Sequence, residues 1–258
     1  MKKIVFVLGC LVFGLFLAPL AMAGGDPGTG INLSPHDLHG YTPVPDDGLG
    51  RICVYCHTPH HAYKLSGVLQ GTGPTAPDAY DYLPLWNHDL SNNLAFDTYY
   101  NGPGAPTVGP KASQAIQNGM TIGSSSLLCL GCHDGSVAIN SYGTGSTISR
   151  SAGASFVLGG RLIGKDAYLG NHHPIGFDYY AVSAVDTEIR DPDIAMLASA
   201  GTVSSHLYGS GNTQMECATC HSVHNKGNTG ERLLWRSDAS SRLCLTCHDK
   251  GDYDGTTP

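Results

Sequence analysis

Four copies of one five-residue pattern limit what this chain can fold into. They are Cys53-Val-Tyr-Cys56-His57, Cys129-Leu-Gly-Cys132-His133, Cys217-Ala-Thr-Cys220-His221 and Cys244-Leu-Thr-Cys247-His248. Together they use eight of the nine cysteines, and the ninth, Cys10, lies in an apolar leader. Two thiols three positions apart can each add to one vinyl group of the same porphyrin, and the adjoining His then falls under the iron. An even cysteine count in an exported chain first brings disulfides to mind, but every cysteine here belongs to such a pair. Zinc is the other alternative, because Cys217/Cys220 and Cys244/Cys247 have the spacing of a zinc ribbon. A zinc site needs no His after each pair, however. The pattern predicts four covalent haems c, with thioether bonds to Cys53, Cys56, Cys129, Cys132, Cys217, Cys220, Cys244 and Cys247. It makes His57, His133, His221 and His248 the proximal iron ligands.

Haem also answers a packing problem. Gly and Pro number 34 and 15 in 258 residues, and periodic apolar segments are scarce. Such a chain is poor in side chains for a core and needs other apolar matter to fill it. The expected fold is a compact multihaem c-type cytochrome, mostly coil with short α-helices and little β, with a haem-cored interior. Helix starts are expected at Ser34-Pro35 and at Asp191-Pro192 before residues 194–197. Ser237 or Asp238 is expected to cap a turn into Cys244, and one of the serines at 124–126 a turn into Cys129.

The first residues point to export. Lys2 and Lys3 precede an apolar run over 4–20, and Ala21-Met22-Ala23 is an A-x-A cleavage signal, so 1–23 read as a signal peptide. Val7-Leu8-Gly9-Cys10 loosely resembles a lipoprotein box, but cutting there would leave most of the apolar run in place. No other segment has the length and apolarity of a bilayer span. Removing 1–23 leaves 235 residues with 12 Lys+Arg against 21 Asp+Glu. An acidic chain of this kind favours solubility and is a poor partner for nucleic acid.

The motifs fall in an A-B-A-B order. The first and third continue to a second histidine three residues on, His60 and His224; the second and fourth read Leu-Cys-Leu-x-Cys-His-Asp. Between A and B, Leu85-Trp86-Asn87-His88-Asp89 echoes Leu234-Trp235-Arg236-Ser237-Asp238. This reads as a duplicated two-haem unit, with halves at about 34–140 and 171–250 inside one tetrahaem domain, 24–258. The first half carries a Gly/Pro/Asn-rich insertion near 92–107, and 141–164 is a Ser/Gly-rich linker.

Nine histidines remain for the distal iron positions, against three methionines in the mature chain, Met120, Met196 and Met215. Three methionines cannot serve four irons, so bis-His ligation is expected. His60 and His224 lead the candidates. Each lies three residues beyond a proximal His, on the same side of a turn, so each must serve another motif's iron. Asn171-His172-His173-Pro174 offers a ligand to the second half. Ser34-Pro35-His36-Asp37-Leu38-His39 offers His36 to the first, and His88 competes with it. His39, His61 and His206 read as surface or propionate partners.

At Cys-x-x-Cys-His-Thr-Pro-His, Pro-Leu-Trp-Asn, Leu-Cys-Leu-x-Cys-His-Asp-Gly and His-Pro-Ile-Gly-Phe, the chain resembles multihaem cytochromes of metal-reducing bacteria. More narrowly, it resembles the tetrahaem cytochromes that polymerise into extracellular filaments. The likeness runs from about Ser34 to Asp249. It implies bis-His haems, with one distal His given by a neighbouring subunit, and it matches His60, His173 and His224 to distal positions and His36 to an N-terminal position from which a ligand could cross. The expected function is electron transfer by a secreted, non-enzymatic conduit, extracellular or at the cell surface. Its expected partners are its own copies, with redox proteins or extracellular acceptors. A periplasmic monomeric shuttle is the alternative; a small multihaem reductase would need an open iron.

Overall fold

The computed structural model describes residues 25–40, 49–60, 85–88, 90, 95–98, 116, 120–142, 156–157, 159–228 and 230–250. The leader, His61 and most of 92–107 and 141–164 lie outside them. Within the described residues the chain is mostly coil, with four short α-helices and one two-stranded sheet. The helices are α1 (Ser124–His133), α2 (Tyr179–Ser183), α3 (Cys217–Cys220) and α4 (Arg242–Cys247). The strands β1 (Phe177–Asp178) and β2 (Gln214–Met215) pair antiparallel, Phe177 opposite Met215 and Asp178 opposite Gln214.

The longest helix, α1, buries Ser126, Leu127, Leu130 and Gly131. None of the three expected serines caps it: all lie inside, and Gly123 is the N-cap, with φ −76° and ψ 165°. A Cβ at position 123 would collide with Glu216 Oε1, so glycine is the residue that admits this carboxylate. Asp134 N–H closes the helix on Leu130 O at 2.9 Å, and Gly135 at φ 76° turns the chain away. α2 has an ordinary cap, Asp178 Oδ1 accepting from Ala181 N–H at 2.9 Å.

Two other expected helix starts form turns instead. Ser34 Oγ accepts from His36 N–H at 3.2 Å, and the chain enters one 3-10 turn at Leu38–Gly40. Asp191 Oδ1 takes Asp193 N–H at 2.9 Å, and Ala195 N–H returns to Asp191 O, without further helix. The side chain satisfies the backbone locally and competes with helix continuation. Before α4, Asp238 is the N-cap of a 3-10 turn, Ala239–Ser241, that runs into the helix, and Ser237 Oγ accepts from Ala239 N–H at 3.2 Å; Ser240 and Ser241, at φ 55° and 61°, separate that turn from α4.

The apolar interior is small and lies beside the motif cysteines. One cluster, drawn mainly from 177–215, includes Phe177, Tyr179, Val182, Leu197, Val203 and Met215, and Cys220 and Cys247 pack against it. A second, Tyr55 with Ile139, is flanked by Cys56 and Cys132. Met215 is thus a core residue, while Met196 is 44 % exposed.

The halves share a backbone device at the A motifs. Thr58 N–H donates to Leu85 O and Asn87 N–H to Cys56 O; likewise Ser222 N–H donates to Leu233 O and Trp235 N–H to Cys220 O. Leu85 and Leu233 both have positive φ, 54° and 61°. The Asn87 amide donates to Val54 O and the Trp235 indole to Ala218 O, the same position of each motif. Leu85 therefore corresponds to Leu233, Asn87 to Trp235 and His88 to Arg236. This corrects the Leu-Trp register read from residue identity by one position. Along an extended chain a one-residue slip exchanges the faces, so the two tryptophans are not equivalent.

Candidate haem-binding site

No disulfide joins any of the eight motif cysteines. Among the described residues no three of His, Cys, Asp and Glu converge into a cluster that could hold a metal, so the Cys-rich donor set of a structural zinc does not assemble.

The histidines instead come together in twos. His57 and His224 have ring centroids 6.1 Å apart, His36 and His133 6.2 Å, and His173 and His248 6.2 Å. Two imidazoles on opposite sides of one metal, each bonded at about 2 Å with its centroid about 1 Å further back, stand roughly 6 Å apart. Each pair joins the histidine of an attachment motif to one remote in sequence.

Hydrogen bonds set which nitrogen faces the gap. Nδ1 of His36 lies 3.3 Å from Val223 O, of His133 2.9 Å from Arg161 O, of His173 2.9 Å from Pro174 O and of His221 3.2 Å from Leu233 O. A carbonyl only accepts, so the proton sits on Nδ1 and Nε2 keeps its lone pair, the tautomer an iron ligand needs. Partial burial holds the pKa of His36 and His248 below the usual value, which favours the neutral ring. The residues present fit covalent, bis-His haem.

The other candidates are placed as follows. His172 Nε2 accepts from Gly164 N–H at 3.3 Å, whereas neighbouring His173 leaves Nε2 toward His248. His88 is buried near Trp86 and Tyr142. His206 packs on Trp235 at 4.5 Å, with Nδ1 3.2 Å from Thr202 O. His39 is partly buried and His60 exposed. His36 stands opposite His133 of its own chain, the geometry of the own-chain alternative to a crossing ligand. His221 is exposed, and among the described residues no aromatic or histidine ring stacks on it.

The thiols form a sequence in space. Cys56 and Cys132 interact electrostatically and flank the same small cluster. Cys129 and Cys217 act on each other's titration. Cys220 and Cys247 interact and pack on the same core. Neighbouring motifs thus lie close in the order first, second, third, fourth. Burial pushes the Cys56 thiol up to about 11 and Cys132 and Cys220 up to about 12.

One buried group escaped the sequence reading. Glu216 is 2 % exposed at the N-terminus of α3, where it forms a capping box with Thr219. The legible signal was an N-cap acid immediately before Cys217 with Thr at N3.

Residues 211–253 match the family model for the doubled CXXCH motif, across the third and fourth attachment sequences. A comparison with curated proteins found no match. The doubled motif is a haem c attachment sequence of multihaem cytochromes. The match indicates haem c binding, the cofactor chemistry of electron transfer, in this segment. Such attachment domains are typically exported, and among the described residues no helix is long and apolar enough to cross a membrane.

Proposed function

We propose that the mature chain carries four haems c, one on each motif, all bis-His, and passes electrons along them as an extracellular conduit built from repeated copies. The observation that carries this reading is the coincidence of three histidine pairs at 6.1–6.2 Å with motif cysteines that lie near one another in chain order. Bound haem supplies one-electron chemistry between ferric and ferrous iron. The chain's own part is to hold the rings, keep their Nε2 atoms deprotonated and exclude water.

In this reading His224 serves the first motif, His36 the second and His173 the fourth. His60 remains for the third, opposite His221. Both are exposed, and no ring contact joins them within the described chain. The donor is then His60 of a second copy, in place of His36, whose ring already faces His133. A ligand bond from one surface to a different surface is heterologous, and repetition without closure gives a filament. The filament resemblance supports this reading, as does a cleavable leader over 1–23.

Intact mass of the secreted protein is expected to exceed the cleaved chain by four haems, and ferric spectra to be wholly low-spin. His60→Ala is expected to abolish long assemblies under the electron microscope and to make one haem per chain high-spin. Monomers of wild-type protein with four low-spin haems would favour the shuttle. A native high-spin iron would favour a reductase.

A further inference from the structure

Glu216 stands where two attachment helices meet. Its Oε1 accepts from Gly123 N–H at 2.9 Å, at the start of α1, and its Oε2 accepts a short bond from the Ser126 hydroxyl. Ser126 Oγ in turn accepts from Cys217 N–H at 3.0 Å, so the hydroxyl proton is committed to the carboxylate. Thr219 Oγ1 accepts from Glu216 N–H at 3.0 Å, which fixes the backbone at the start of α3. α1 carries Cys129 and Cys132, α3 is bounded by Cys217 and Cys220, and the Cys129 and Cys217 thiols are close enough to act on each other's titration.

The carboxylate thus lies buried at the seam between the second and third attachment sites. The titratable groups acting on it are Cys217 and Cys129. Both become thioethers when haem attaches and cease to titrate. Gly123 and Ser126 face it from α1 and Thr219 from α3. Among the described residues no Lys, Arg or His acts on it. Two opposed effects therefore meet at one atom pair: two N–H and O–H donors favour the anion, and burial without a cation opposes it.

We propose that Glu216 is a proton-binding group that couples proton uptake to reduction of the haems held at the second and third motifs. The proposal rests on the haem reading above. Glu216 takes one proton from water as one electron, delivered by a one-electron donor, arrives at a neighbouring ferric iron and makes it ferrous; no carbon bond forms or breaks. The added negative charge raises the proton affinity of the carboxylate, and by linkage the protonated carboxyl favours the reduced iron. Burial pushes the Glu216 pKa up, to about 8 with the thiols still free, which moves the exchange above the ordinary carboxylate range. Protonated Glu216 favours reduction, so reduction potentials are high below this interval and fall as pH rises through it.

The test is a spectroelectrochemical titration of the fully haem-loaded protein against pH, wild type beside Glu216→Gln. Gln keeps the acceptor oxygen and the shape but cannot titrate. Wild-type potentials are expected to fall with pH around 8, toward a limit of about 59 mV per pH unit for one proton per electron. Glu216→Gln is expected to remove that fall while leaving mass and low-spin spectra intact. A slope of equal size in both proteins overturns the proposal. Infrared difference spectra on wild type with carbon-13-labelled glutamate remove dependence on the variant's folding and separate Glu216 from haem propionates. Reduction at pH 8 is expected to create a protonated-carboxyl band that shifts with the label. No such band overturns the proposal, and haem missing from either motif overturns both readings.

Discussion

Replacing Asn225 by Ala is expected to release the N-terminal arm that carries His36. Asn225 is fully buried. Its Nδ2 donates to Asp26 O at 2.7 Å and Gly30 O at 3.0 Å, while its Oδ1 accepts from Leu233 N–H at 3.2 Å and Asn228 Nδ2 at 2.9 Å. The first two bonds bind the arm; the Leu233 bond binds the segment that bridges to His221 at Leu234, and the Asn228 bond closes the local turn. At about 1 kcal/mol net per hydrogen bond, losing the arm's two costs about 2 kcal/mol, and losing all four about 4 kcal/mol. Asn225 also has φ 49°, which Ala adopts less readily, at a further cost of about 1 kcal/mol. Opening of the arm should therefore become about 30-fold more frequent, at tenfold for each 1.4 kcal/mol. The reporter is hydrogen exchange at Gly30, whose N–H donates to Asn225 O at 2.8 Å, a bond that Ala preserves. Asn225→Gly relieves the backbone strain and isolates the side-chain loss, so it should be milder than Ala in global unfolding. The His36 ring should detach in the open state and give a small high-spin fraction at the second motif. Gly30 exchange within about threefold of wild type would refute the assignment of Asn225 as the clasp, since even one lost bond of this size predicts about fivefold.

Other expectations follow from single contacts. His224→Ala should turn one haem high-spin without loss of its thioethers, and resonance assignment should place it at the first motif and not the third, because His224 faces His57. Leu85 is 54 % exposed at φ 54°, so Leu85→Gly should leave thermal stability unchanged or raise it by up to about 1 kcal/mol, whereas Leu85→Val should lower it. The Arg190–Asp249 bridge spans 2.7 Å between partly exposed side chains, so Asp249→Asn should change denaturation midpoints by less than about 1 kcal/mol.

The chemistry of attachment was legible in the sequence because it is local. Two thiols and an imidazole within five residues meet one porphyrin whatever the rest of the chain does, so Cys217 to His221 carries the same meaning alone as in the fold. The coil-rich architecture was legible for a related reason: too few periodic apolar residues were present to build long helices, and among the described residues only α1 exceeds two turns. Helix starts were read less well, since Ser34 and Asp191 bond the nearby backbone in ways that end as turns, and Gly123 was chosen by a carboxylate 93 residues away. Residue identity also misled the repeat register, because backbone pairing at Leu85 and Leu233 decides it. Opposition of rings is a property of the tertiary trace. His57 meets His224, His133 meets His36 and His248 meets His173 only because distant segments cross beside the motifs, and no spacing along the chain encodes that. The same holds for Glu216. An acid before a cysteine is an ordinary solvated residue in sequence, and its burial exists only once α1 and α3 close over it.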